Sequence, residues 1–120
     1  MAHRGSVLFV LVLSGSGCDA SAGPPGAPAS TIRVLAYNIH HGEGLDGQLD
    51  LLRTAGVIRR AEPDVVALQE VDRHALRTNA VDQAATLGVL TGLTPTYGPF
   101  MDFDGGSYGM AILSRWEVVR

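Results

Sequence analysis

The chain has 120 residues, a net charge of −3, nine arginines and no lysine. One small domain is the most this length holds, and the lone cysteine, Cys18, excludes an internal disulfide. No basic run is dense enough to bind nucleic acid by phosphate neutralisation alone, yet a phosphorylated substrate stays open because a metal ion can supply the positive charge.

Residues 1–22 read as an export signal. Arg4 precedes an unbroken apolar run over 7–13 (VLFVLVL), and small residues follow. The run is too short to span a bilayer; a buried strand is the alternative. Two processing sites are open. Ala20-Ser21-Ala22 has the small-x-small form, and Cys18 after Gly15-Ser16-Gly17 resembles a bacterial lipoprotein signal, with Gly15 where leucine is usual. A lipidated Cys18 would tether the protein to the cell envelope; the other cleavage would secrete it. Residues 23–30, rich in Pro, Gly, Ala and Ser, form a flexible linker. The folded part, 31–120, is small for a core of its own.

Alternation over 31–38 (TIRVLAYN) predicts a strand covered on both faces, with Asn38 at its end. Three glycines make 39–48 a loop. Leu51, Leu52, Ala55, Ile58 and Ala61 recur at helical spacing, which predicts a helix over 49–61, capped by Asp46 or Asp50 and stopped by Pro63. A second strand covers 64–69 and a polar loop 70–80. A second helix runs over 81–91 and ends at Gly92. An irregular strand over 94–103, a turn at Asp104-Gly105-Gly106, a strand over 108–113 and the start of another at 116–119 complete the series. Trp116, Phe100 and Phe103 are expected in the core, and Asp102 and Asp104 in turns.

This order predicts an α/β fold: two strand–helix–strand units with parallel pairing, an antiparallel hairpin at the edge, and helices on one face of a mixed sheet. The other face stays apolar and needs a further layer. We therefore expect 31–120 to be the N-terminal part of a larger domain.

The chemistry gathers at strand ends: Asn38-Ile39-His40-His41, Gln69-Glu70-Val71-Asp72-Arg73, and Tyr108 between glycines. Glu70 alone could be a solvated charge. If the first two strands are parallel, however, Asn38 and Glu70 reach the same edge, and an amide oxygen with a carboxylate suits Mg²⁺, Mn²⁺ or Ca²⁺ better than zinc. Arg77 could grip a phosphate bidentately or lie in solvent, and Asp72 is either a partner for Arg73 or a surface charge.

Three segments, 34–42 (VLAYNIHHG), 63–73 (PDVVALQEVDR) and 108–115 (YGMAILSR), stand in the order found in the endonuclease/exonuclease/phosphatase superfamily, which the chain resembles. The resemblance implies the N-terminal half of a four-layer α/β sandwich and divalent-metal-dependent hydrolysis of phosphoric esters. It implies that Glu70 is the metal-binding carboxylate and that Asn38 orients metal and phosphate. Arg73, Tyr108 and His40 would face the phosphoester, be it in nucleic acid, phospholipid or sugar phosphate. No protein partner is implied. Met110 departs from the pattern, in which Asn often follows Tyr-Gly. The family's general-base Asp, its Asp-x-Asn and its Ser-Asp-His motif do not occur in these 120 residues, so little activity is expected from them alone. A non-catalytic envelope binding protein that retains the fold is the competing reading.

Overall fold

The computed structural model describes residues 8–14 and 31–119. Five strands and two helices follow in the order β1 (Leu8–Ser14), β2 (Thr31–Asn38), α1 (Leu51–Ala61), β3 (Val65–Arg73), α2 (Gln83–Thr91), β4 (Thr94–Phe103) and β5 (Gly106–Ser114). They form one mixed sheet in the spatial order β1-β2-β3-β5-β4. Strand β1 lies within the apolar run read as an export signal and pairs antiparallel with β2, Leu11 opposite Val34. Cys18, both candidate processing sites and the linker over 23–30 lie outside the described residues.

The first strand–helix–strand unit forms as expected. Asp50 caps α1 by accepting the Arg53 N–H at 2.9 Å. Glu62 closes the helix in the left-handed region before Pro63, and β3 returns parallel to β2. The second expected parallel pair does not form. Strand β5 inserts between β3 and β4 and runs antiparallel to both. Composition explains the choice: β4 carries Pro95 and Pro99, which lack an N–H and suit an edge, whereas β5 places Ala111 and Leu113 in the core. A second correction concerns 70–73, expected as loop. Strand β3 continues through Arg73 because a bulge after Leu68 sets Gln69 and Glu70 together against Met110.

The two faces of the sheet differ. On one, Leu35, Val66, Leu68, Val71, Ala111 and Leu113 pack with Ala55, Ile58, Ala84 and Leu87 of the helices into one buried cluster. Each such leucine contributes about 1.5–3 kcal/mol by leaving water. The other face presents Ile32, Met101, Met110 and Ile112, all exposed. Phe100 is 79% exposed and Trp116 50%, so neither is core: Phe100 sits at the bulge of edge strand β4, where no layer covers it. The strand expected from residue 116 is absent among the described residues. Ser114 Oγ accepts the Trp116 N–H and bends the chain away. No helix among the described residues is long and apolar enough to cross a membrane.

Candidate metal centre

Parallel pairing brings the ends of β2 and β3 to one rim. Asn38 stands opposite Gln69, and the Ile39 N–H donates to the Gln69 carbonyl at 3.1 Å, clamping the strands where they end. The bulge then turns Glu70 into the left-handed region, φ 57°, beside Asn38. The amide Nδ2 of Asn38 donates to Glu70 Oε1 at 2.9 Å, and Asn38 Oδ1 accepts the His40 N–H at 3.0 Å. The backbone donor fixes the amide's orientation, since only the oxygen can accept it. Asn38 therefore holds the carboxylate with its NH₂ group while its oxygen serves the His40 backbone. In this geometry it positions the carboxylate.

The groups that flank Glu70 are the two imidazoles. His40 and His41 form a 3₁₀ turn that ends at Gly42, and their rings stand 4.4 Å apart. One ligand atom each from His40, His41 and Glu70 lies within 4.8 Å of the others. A loop this tight needs Gly42 at φ 81°, where a Cβ would also crowd Leu51. His41 is mostly buried, with Nε2 3.3 Å from Glu43 Oε2. Burial, and next the Arg77 charge, push its imidazole below the ordinary histidine value, against the upward pull of Glu43. Its neutral, ligand-competent form thus prevails at pH 7.

Behind the rim sits a side chain that sequence reasoning missed. Gln83, at the start of α2, is 2% exposed. Its Oε1 accepts the Asp72 N–H at 2.9 Å and its Nε2 donates to the His41 carbonyl at 2.7 Å. One amide thereby ties the histidine turn to the β3 end. The signal in sequence was a polar residue at an apolar helix position, next to Ala84 and in register with Leu87.

Asp72 and the arginines settle differently from the expectations. Asp72 is fully buried, not a surface charge, and its partner is Arg77, not Arg73. Arg77 makes the bidentate grip foreseen for a phosphate, but on Asp72, at 2.8 and 2.9 Å, with its guanidinium over the Phe103 ring. Arg73 pairs with Asp82 at 3.0 Å and lies over Tyr97. Asn38, Gln69, Glu70, Phe100, Tyr108, Gly109 and Met110 line an open cleft of about 300 Å³ on the uncovered face. Arg73 and His40 are not among the cleft's lining residues. Gly109 lets β4 approach here, since a Cβ would strike the Gly98 carbonyl.

The fold, the rim and the three segments converge with the comparisons. The chain belongs to the Endonuclease/Exonuclease/phosphatase family, which it matches over residues 35–120. It is similar to the crystal structure of an endonuclease/exonuclease/phosphatase from Beutenbergia cavernae DSM 12333, with a TM-score of 0.61 and 30% identity over 74% of this chain and 27% of that one. The chain thus spans about a quarter of that relative's length. Among curated proteins none matches it. Enzymes of this family are typically divalent-metal dependent and act on phosphoesters, and the donor set around Glu70, one carboxylate and two imidazoles in reach of one point, fits a divalent cation.

Proposed function

We propose that the protein is an exported, divalent-metal-dependent hydrolase of phosphoric esters, with Glu70 as the residue that holds the cation. The observation that carries this reading is the Asn38–Glu70 hydrogen bond at the common end of two parallel strands. Residues 32 apart in sequence meet there on a rigid sheet edge, the placement that precise sites favour. Asn38 takes one carboxylate oxygen, fixes the plane of the group and leaves the other oxygen for a cation. The bulge that aims Glu70 costs about 1–2 kcal/mol in a left-handed backbone.

When bound, a divalent cation supplies the positive charge that stabilises oxygens of the ester phosphate. The net charge of the chain makes that contribution necessary, because Arg77 is already neutralised by Asp72 and Arg73 by Asp82. Tyr108, on the cleft wall, would line the substrate. The open apolar face beside the cleft is where the further layer of a four-layer sandwich would pack. The reading of 1–22 as an export signal, with tethering through Cys18, supports an activity at the envelope or outside the cell.

The test uses bis(p-nitrophenyl) phosphate with Mg²⁺. Hydrolysis by a polypeptide that joins residues 31–120 to the C-terminal remainder of a family domain, abolished by chelation and by Glu70→Gln, supports the reading. Hydrolysis indifferent to Glu70→Gln contradicts it. The 120 residues alone are expected to turn over little, since they lack the family's Asp-x-Asn and Ser-Asp-His motifs.

A further inference from the structure

The proposed function assigns the cation to Glu70 alone, yet the histidine turn beside it has a costly geometry. His40, His41 and Glu70 stand at φ 47°, 44° and 57°. All three are non-glycine residues in the left-handed region, a conformation that costs about 1–2 kcal/mol each. Eight non-glycine positions among the described residues are left-handed; these three are the ones whose ligand atoms converge within 4.8 Å. The rest of the rim holds them there: Asn38 through the His40 N–H, Gln83 through the His41 carbonyl, and Asn38 again through Glu70.

We propose that His40 and His41 join Glu70 as ligands of one cation, so that the site is a mixed nitrogen–oxygen centre selective for a first-row transition ion such as Mn²⁺, Co²⁺ or Zn²⁺ over Mg²⁺. The proposal rests on the reading of Glu70 as a cation-holding residue and replaces the all-oxygen site expected from Asn38 and Glu70. Three features support it. Imidazole nitrogen is a borderline donor that favours the later divalent ions, whereas Mg²⁺ prefers oxygen and water. Asn38 Oδ1, the oxygen that would complete a hard site, already spends one of its two lone pairs on the His40 N–H. Glu43 stands at His41 Nε2, 3.3 Å away; a proton held there leaves the lone pair on Nδ1, the arrangement in which a carboxylate orients a metal-bound histidine.

Two atoms on one such ion stand about 3–4 Å apart, so binding requires only that three side chains close slightly by rotation. Arg77, on the far side of the turn, is held by its two bonds to Asp72.

The test is a titration of the full chain with Co²⁺ and, separately, Mg²⁺, read by calorimetry and by proton NMR of the histidine rings. The chain has four histidines. Paramagnetic Co²⁺ is expected to shift the ring resonances of His40 and His41 by the large contact shifts of bound ligands, well beyond any shift at His74. No substitution is needed for this arm, so misfolding cannot mask it. His40→Asn and His41→Asn, which keep a residue tolerant of the left-handed region, should each weaken Co²⁺ at least tenfold and change Mg²⁺ less than threefold. Co²⁺ bound without shifting either ring, or with affinity unchanged by both substitutions, overturns the proposal. Loss of both ions in Glu70→Gln with no dependence on the histidines would leave the Glu70 reading standing and sink this one. Binding of both ions indifferent to Glu70→Gln would sink both.

Discussion

The two rims of the sheet are built from the same kinds of residue and do opposite things with them. At the rim where β2 and β3 begin, Asp64 accepts the Arg33 N–H and pairs with Arg115, Arg33 donates to the last carbonyls of α1 and pairs with Glu62, and Arg59 donates to Leu90. That rim borders an open cavity of about 740 Å³, but its charges are spent on one another. Its one left-handed non-glycine residue, Glu62, closes a helix. At the rim where the strands end, His40, His41, Glu70 and His74 are all left-handed, and three of their side chains converge. Cavity size points to the first rim, whereas the chemistry is at the second. Strain without a capping explanation, together with converging donors, separates a site from a seam.

The broadest way to break the contrast is to remove what both rims share. Leu68, 1% exposed, lies one residue from the bulge, and Leu68→Ala should cost about 2–5 kcal/mol in denaturant unfolding. Ile112→Ala, on the uncovered face, should cost under about 1 kcal/mol because its side chain already meets water.

Next comes the tie behind the site. Gln83→Met leaves the Asp72 N–H and the His41 carbonyl without their partner in a buried position and should cost about 2–4 kcal/mol. The matching cut at the other rim, Asp64→Asn, keeps the bond to the Arg33 N–H and loses a pair whose Arg115 end lies in solvent, so about 1 kcal/mol is expected.

Glu70→Gly sharpens the comparison further. The bond to Asn38 is lost, about 1 kcal/mol, and left-handed strain of about 1–2 kcal/mol is relieved. Unfolding stability should stay within about 1 kcal/mol of the parent, while divalent-ion binding disappears. A large loss of stability would show that Glu70 is structural.

The smallest effect is electrostatic. The Arg53 side chain, and next the Gln48 N–H, hold the Asp46 carboxyl at about 2. A lowered folded value means stabilisation that is present above the ordinary carboxyl range and lost as pH falls through the folded one. Asp46→Asn should therefore lie slightly below the parent at neutral pH, with the gap closing between about pH 4 and pH 2.

Much of this was legible in the sequence. Strand β2, helix α1 and the β4–β5 hairpin are local patterns: alternation, helical spacing with Asp50 and Pro63 as punctuation, and Asp104-Gly105 between apolar runs. The meeting of Asn38 with Glu70 followed from one topological inference, a parallel pair. What escaped was non-local. The insertion of β5 between β3 and β4 depends on which strand best tolerates an edge. Asp72 reads as a surface charge until Arg77 and Thr78 fold over it. The orientation of the Asn38 amide depends on a single backbone N–H two residues on. The exposure of Phe100 reflects its place at the bulge of edge strand β4, on a face that no described residue covers.

Calorimetric titration of the full chain with MnCl₂ tests the central claim most directly. The account predicts saturable binding at one site in the parent and none in Glu70→Gln; the same isotherm from both proteins would contradict it.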